Sequence, residues 1–348
     1  MNVLMIGPSR NSMGGIATVI KNFSMYFKDD NIKIFYFESW KEGSFLVRFL
    51  RTVFGNLNLI YSIKKYNIDI VHIHVAQKGS FYRKSIILFI CKFLNVKTIF
   101  HIHGSHFDKF YNEGSMGLKK LITYVLNSCD KIIVLSEEWE VFINKITKKQ
   151  VTVMHNAVYV ESKSYNNKGK KITFLGRLGS RKGTYDLLSI LDQIDLEKNG
   201  IKLYLCGDGD IDEVKNYLKK LHLKENVVVT GWIDNKEKEE ILKDTIINIL
   251  PSYHEGMPMA ILETMSKGIP NISTNVGGIT RVIKNFENGI VNNPGDNNAL
   301  KNSINMLIND EKLRENLSNN AYSKIQREYS IDVYNKKIAG IYRDLMRG

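Results

Sequence analysis

The sequence predicts an α/β protein built from two doubly wound, Rossmann-like domains facing across a cleft. Three observations carry this. Short apolar runs rich in Ile and Val alternate with helix-periodic segments along the whole chain, the pattern of parallel sheets covered by helices. Two strand–glycine turn–helix openings, NVLMIGPSRNSMGG and KITFLGRLGSRKG, begin at residues 2 and 171. The 348 residues also exceed what one hydrophobic core usually serves, so two domains of about 150–200 residues are expected.

Residues 2–7 (NVLMIG) read as a buried strand, and the periodic IATVIKNFSMYF that follows the turn reads as a helix. Strand, glycine turn and helix N-terminus make an anion pocket, because unpaired N–H groups and the helix dipole both favour negative charge. Gly14 and Gly15 are either that pocket or a plain turn. The stretch is neither a Walker loop nor G-x-G-x-x-G. IKIFYF, 32–37, is the second strand.

Residues 44–65 form an aromatic, basic, amphipathic helix. Phe45, Leu46, Phe49, Leu50, Val53, Phe54 and Leu57 cover a wide apolar face, and Arg48, Arg51, Lys64 and Lys65 supply charge. Two readings stand: a helix packed on the sheet, or one lying on an anionic membrane surface.

Two His-x-His pairs follow, His72/His74 and His101/His103. On a strand, positions i and i+2 share a face. No His-Glu-x-x-His and no cysteine companion accompanies them, so zinc is not expected. They are expected at the carboxyl edge of a parallel sheet, where α/β proteins bind ligands, with His72 and His101 packed or supporting. Between the pairs, Gln77, Lys78, Arg83 and Lys84 surround a turn. That turn is a solvated helix start or a basic mouth for an acceptor pyrophosphate. VTVMHNAV, 151–158, is a strand and turn ending near Asn156, and the polar, aperiodic 161–170 is the linker.

In the second half, Arg177 and Lys182 stand on a glycine-rich loop with Gly183 before the next helix. Arginine can fork onto a phosphate and lysine can place a point charge. Two such cations suit a diphosphate leaving group where no metal serves it. Gly207, Asp208 and Gly209 follow the next strand. Asp208-Gly-Asp210 is not a calcium loop, because position six is Glu213 and position twelve is Lys219. Gly231-Trp232 ends a further strand.

Residues 250–278, LPSYHEGMPMAILETMSKGIPNISTNVGG, read as a strand end, a tight loop, a short helix, a strand and a glycine turn. Pro258 suits the first helical turn. Glu255 lies in the loop and Glu263 about one and a half turns into the helix. The N–H groups of Gly256, Met257 and Met259 are candidates for the helix's unpaired donors. Each carboxylate can hold a pair of hydroxyls; the alternative is two solvated glutamates. Residues 296–327 read as two helices and 329–346 as a last amphipathic one.

The net charge of +13 is uneven: residues 1–165 carry 22 Lys and Arg against 12 Asp and Glu, and residues 166–348 carry 27 against 24. A basic first half suggests an anionic partner. Nucleic acid is not expected, since no nucleic-acid motif or dense arginine cluster occurs. Three scattered cysteines fit a reducing compartment. MNVLMIGPSR lacks the basic leader and apolar run of a signal peptide, and no apolar run is long enough to span a bilayer.

The run E-G-x-P-x-x-x-x-E from Glu255 to Glu263, followed by KGIP and VGG turns, resembles the donor-site signature of retaining glycosyltransferases of family 4, group 1, which have the GT-B fold. The resemblance covers nearly the whole chain. It implies an acceptor-binding domain over 1–163, a nucleotide-sugar-binding domain over 164–328, and a helix over 329–348 crossing back to the first domain. It further implies Arg177 and Lys182 on the donor diphosphate, Glu255 on hydroxyls of the donor sugar, and Glu263 on the ribose. Gly256 and Met257 would add backbone donors, and Gly207, Gly231 and Trp232 would lie near the nucleoside. Gly14 and Gly15 would lie near the donor phosphates, and His103 beside the reacting sugar. Gln77, Lys78, Arg83 and Asn156 would lie on the acceptor side.

The expected activity is metal-independent, retaining transfer of a hexose from a nucleotide diphosphate sugar, a UDP-sugar before GDP-mannose. The expected acceptor is a lipid-linked glycan in bacterial-type surface polysaccharide synthesis. No cofactor is expected, and the expected place is cytoplasmic, peripheral on the inner face of the membrane. The alternatives are a non-catalytic sugar-nucleotide-binding scaffold of the same fold and a dinucleotide oxidoreductase. Retention of both cations and both glutamates argues against the first, and the missing G-x-G-x-x-G against the second.

Overall fold

The computed structural model describes residues 1–9, 12, 14–40, 45–104, 106–194, 196–220 and 226–347, with backbone alone for 40 and 45–54. The chain forms two compact units, Met1–Ala157 with Ile331–Gly348, and Val158–Ser330.

In the first unit the strands are β1 (Asn2–Pro8), β2 (Lys33–Trp40), β3 (Ile70–Val75), β4 (Lys97–Ile102), β5 (Lys131–Val134) and β6 (Val151–Val153). They alternate with α1 (Gly15–Tyr26), α2 (Phe45–Lys65), α3 (Gly79–Phe93), α4 (Phe107–Asn112), α5 (Met116–Ser128) and α6 (Glu137–Asn144). The sheet is parallel in the order β2-β1-β3-β4-β5-β6.

Strand alternation divides the core in two. Leu4, Ile6, Val71, Ile73 and Phe100 face one way, against Leu59 of α2, Phe81 and Leu88 of α3, and Val125 of α5. Val3, Met5, Ile70 and Ile99 face the other way, against Phe23 of α1 and the last helix, α14 (Ile331–Arg347). That helix buries Ile331, Tyr334, Ile338 and Tyr342, a 3-4-4 spacing that makes one stripe. Each such side chain contributes about 1.5–3 kcal/mol by leaving water.

The second unit repeats the plan with β7 (Lys171–Leu175), β8 (Lys202–Cys206), β9 (Val227–Gly231), β10 (Thr245–Leu250), β11 (Asn271–Thr274) and β12 (Ile290–Asn292). Its helices are α7 (Thr184–Ser189), α8 (Ile211–Lys220), α9 (Asn235–Leu242), α10 (Met259–Ser266), α11 (Ile279–Val282), α12 (Asn297–Asn309) and α13 (Glu311–Lys324). Polar caps set several starts: Asp234 forms a capping box with Glu237 on α9, and Asp296 and Asp310 cap α12 and α13. The sheet order is β12-β11-β10-β7-β8-β9, again parallel.

These orders determine where ligands can enter. The chain leaves β7 toward β8 and β9, then returns on the other side of β7 with β10. The loops after β7 and β10 therefore diverge and leave a crevice at the carboxyl edge. In the first unit the same reversal falls between β1 and β3.

Candidate functional site

In the second unit the residues singled out from the sequence stand on the loops at the carboxyl edge of the sheet, those after β7 and β10 among them. After β7 the chain passes Gly176 and Arg177 and makes a 3-10 turn over Ser180–Lys182. Gly183 follows at φ +69, and a Cβ there would overlap the carbonyl of Pro251. Only glycine lets the β7 loop lie against the end of β10 so closely. A hydrogen bond from Tyr253 N–H to the Arg181 carbonyl (2.9 Å) and one from the Arg181 guanidinium to the His254 carbonyl (3.0 Å) tie the two loops together.

The Lys182 ammonium donates to Oε1 of Glu255, with side-chain exposures of only 13% and 6%. Ser252 Oγ donates to the same oxygen at 2.7 Å. Ser252 in turn accepts at its carbonyl from Thr274 Oγ1, 2.5 Å away at the end of β11. Glu255 is thus a fixed, buried carboxylate rather than a solvated loop charge. Truncating one member of such a pair strands the other charge.

Behind it, Gly277 sits at φ +52 where a Cβ would overlap the Glu255 carbonyl, and Gly278 N–H donates to the Gly256 carbonyl at 2.7 Å. The glycine turn therefore buttresses the Glu255–Gly256 backbone. Pro258 is the N-cap of α10 rather than its first helical residue, and the first bond back to it comes from Ile261 N–H at 3.2 Å. The N–H groups of Gly256, Met257 and Met259 precede that bond.

Glu263 lies on the fifth position of α10, half-buried, and accepts from Lys238 of α9 at 2.7 Å. Arg177 is more open: its guanidinium is 3.3 Å from Asp208, with exposures of 64% and 39%. Asp210 accepts from Tyr185 at 3.2 Å. The Gly207 N–H donates to the Gly231 carbonyl at 2.8 Å, which joins the turns after β8 and β9, and Trp232 is half-exposed beside them. Arg177, Lys182, Gly207, Gly231, Trp232, Glu255, Gly256, Met257 and Glu263 thus belong to the carboxyl-edge loops of one sheet, or to the helix just after them. Lys238 and Ser252 are additions that the sequence did not flag. Each is a common residue type whose partner is fixed only by folding.

In the first unit, Gly14 is the N-cap of α1 at φ +118 and, with Gly15, is exposed. Gln77 and Lys78 follow β3. Lys78, at φ +56, is the N-cap of α3, and the Gln77 side chain packs on Gly104. Arg83 folds back over Gly79, and Asn156 is buried. Lys84 is buried too, its ammonium against Ser39 Oγ, and burial followed by the nearby Arg83 charge lowers its pKa to about 7.

The four histidines of the two pairs form one stack. Register places His74 opposite His101, and ring centroids lie 4.1–5.3 Å apart between neighbours. Tyr342 of α14 lies 2.7 Å from Nδ1 of His72, whose Nε2 lies 3.1 Å from Nδ1 of His101. Nδ1 of His74 lies 2.8 Å from Nε2 of His103. His72, His74 and His101 are essentially inaccessible, whereas His103 is half-buried. Burial, then the charges of neighbouring rings, pushes His72 down to about 3 and His74 and His101 well below the ordinary value. His72, His74 and His101 are also the one grouping among the described residues close enough to hold a metal ion, their nitrogens lying within 4.8 Å of one another. A metal held there through the facing nitrogens would displace the His72–His101 hydrogen bond.

Two family models match the chain in tandem: Glycosyltransferase Family 4 over residues 13–162 and Glycosyl transferases group 1 over residues 158–324. The chain belongs to the group 1, family 4 glycosyltransferases. An uncharacterized glycosyltransferase of Methanocaldococcus jannaschii is 27% identical over 237 residues, 67% of this chain and 59% of its own length. An Escherichia coli relative, UDP-Gal:alpha-D-GlcNAc-diphosphoundecaprenol alpha-1,3-galactosyltransferase, is 26% identical over 344 residues, 92% of this chain and 86% of that one. Among solved structures, Anabaena HepE in complex with UDP-glucose superposes with a TM-score of 0.79 at 16% identity, covering 99% of this chain and all of that one. The fold of this glycosyltransferase is GT-B. Its two family-model segments meet at residues 158–162, and the structural units divide at 157/158.

Proposed function

We propose that this glycosyltransferase moves a hexose from a nucleotide diphosphate sugar to a hydroxyl of a lipid-linked glycan during surface polysaccharide synthesis, with retention and without a metal. The buried Lys182–Glu255 pair in the β7–β10 crevice carries the reading. In the free protein each charge satisfies the other. A donor would exchange that pairing for two better ones, its diphosphate taking Lys182 and its sugar hydroxyls taking Glu255. Arg177, exposed and in a long contact with Asp208, could swing onto the same diphosphate. Glu263 would take the ribose hydroxyls in place of Lys238. His103 would meet the sugar, and Gln77, Lys78, Arg83 and Asn156 would receive the acceptor.

In the step itself, the bond from the anomeric carbon to the phosphate oxygen breaks with its electron pair leaving on phosphate. The two cations and the N–H groups of Gly256 and Met257 stabilise that charge as it grows. The acceptor hydroxyl attacks the face the phosphate has left, and its proton goes to the departing phosphate oxygen. The configuration is thereby kept without a protein nucleophile. The Escherichia coli relative's UDP-sugar donor and diphosphoundecaprenol-linked acceptor support UDP and a lipid-linked glycan here. An anionic membrane, where such an acceptor resides, fits the basic first half. Among the described residues no helix is long and apolar enough to cross a membrane.

The test is a panel of UDP- and GDP-sugars with diphosphoundecaprenol-linked acceptors in the presence of a chelator, with the product anomer read by NMR. Transfer from a UDP-sugar with the donor's configuration is expected. An inverted product, or transfer that needs a divalent ion, would overturn the mechanism.

A further inference from the structure

We infer that Lys238 is a built-in competitor of the ribose: it occupies Glu263 in the free protein, weakens nucleotide binding and hastens release of the spent nucleoside diphosphate. This deepens the proposed function and rests on Glu263 meeting the ribose there.

Within α10 every residue is buried except Ala260 and Glu263. Glu263 is thus the one polar side chain of the helix open to a ligand. Lys238 of α9 already holds it, donating to Oε2 at 2.7 Å, with side-chain exposures of 22% and 18%. Among the described residues neither side chain has another hydrogen-bond partner. The two helices do not need this bond to stay together. Lys267, the C-cap of α10, donates to Oε2 of Glu239 on α9 at 2.5 Å. Ile233 and Ile241 share a small apolar cluster with Ala260. The Asp234–Glu237 capping box fixes the start of α9.

The two sheltered ion pairs of the donor site respond differently to a donor. Lys182 leaves Glu255 for the donor's diphosphate, so a new anion replaces the old one. A ribose brings hydroxyls and no anion. Its hydroxyls satisfy Glu263, because a carboxylate accepts from a hydroxyl as it does from an ammonium. They offer Lys238 no charge in return. Parting this pair therefore detracts from nucleotide binding. Even the upper value for an exposed pair amounts to about 5-fold in affinity. Affinity differences at one site fall mostly on the dissociation rate. Product release limits turnover in many enzymes, and a lysine that reclaims Glu263 speeds it.

The experiment is calorimetric titration of the full chain with UDP and GDP, and with the dideoxy form of each, which lacks both ribose hydroxyls. Wild type is compared with Lys238→Met and Lys238→Arg, and dissociation is timed by chase. Lys238→Met should bind the ribonucleotide about 5-fold or more tightly than wild type and release it correspondingly more slowly. Its affinity for the dideoxy form should not change, because that ligand leaves the pair intact. Lys238→Arg keeps the pair and should behave as wild type. A lysine that merely attracted the phosphates would, once removed, weaken both forms alike. One with a merely structural role would move melting and leave the ratio of the two affinities where it was. Lys238→Met that binds the ribonucleotide no more tightly than wild type, or that tightens both forms equally, would overturn the inference. A wild-type preference for the ribonucleotide that Lys238→Met leaves unchanged strikes the inference alone. Equal wild-type affinity for the two forms removes the ribose from Glu263 and takes both readings with it.

Discussion

Lowering the pH from 7.5 to 5.5 should destabilise the first unit through its buried histidines. In the unfolded chain an imidazole takes up a proton near pH 6.5. In the folded chain His72 does so only near 3, and His74 and His101 also lie well below the ordinary value. The unfolded state therefore binds more protons below about pH 6.5, and stability falls with pH from there until the folded rings also protonate. Over the interval from 7.5 to 5.5, each fully depressed histidine costs about 1.4 kcal/mol. Three inaccessible rings give about 4 kcal/mol, and His103, which burial also lowers to about 3, adds to it in the same direction. Lys84, pushed down to about 7, acts in the same direction, because the folded form lacks part of a proton at pH 7.5 that the unfolded form holds. Such a loss is a large share of a typical stability of about 5–15 kcal/mol. Urea unfolding at both pH values measures it. A His72→Gln/His101→Asn variant should lose about half of the histidine effect, since two of the four depressed rings are gone. Equal stability at pH 7.5 and 5.5 in wild type would refute the argument that these rings are held neutral.

Other consequences concern the second unit. Arg177→Ala should cut turnover by about 10²–10³, while melting stays put because its ion pair is exposed and worth under about 1 kcal/mol; an active Arg177→Ala protein would sink the donor assignment. Gly277→Ala forces a side chain into a left-handed conformation and against the Glu255 carbonyl. It should cost about 1–3 kcal/mol in stability and raise KM for the sugar nucleotide, and a silent substitution would mean the turn does not hold Glu255. Glu263→Ala should weaken nucleotide binding with little change in kcat, which isothermal titration and steady-state kinetics separate; an unchanged affinity would remove Glu263 from the ribose.

What was legible in the sequence was what is local. The strand–glycine–helix turns at 14–15 and 177–183, and the run from Glu255 to Glu263, announce themselves within a few residues because turn chemistry and helical period are short-range rules. Pairings set by the fold were not legible. Lys238 meets Glu263 from 25 positions away, and Tyr342 meets His72 across 270. The His-x-His pairs were legible as two strand faces, but their merger into one stack depends on the β3–β4 register. Gly183 and Gly277 read as turn glycines, while their tight approach to Pro251 and Glu255 appears only in three dimensions. The apolar face expected over 45–54 lies outside the described side chains. Its continuation in α2 is mixed, with Leu59 and Ile63 buried and Leu57 and Tyr61 exposed, so packing and an outward apolar surface coexist on one helix.

The central claim is that the second unit binds a nucleoside diphosphate through Arg177 and Lys182 with no metal. Thermal melting of the full chain with UDP, GDP, ADP, TDP or NADH, each with chelator and then with magnesium, tests it most directly. A ligand at 100 times its dissociation constant adds about 2.7 kcal/mol. UDP with chelator should therefore raise the melting temperature by about 5 °C or more, and the rise should shrink in Arg177→Ala. No shift with any nucleoside diphosphate, or one that appears only with magnesium, would contradict the account.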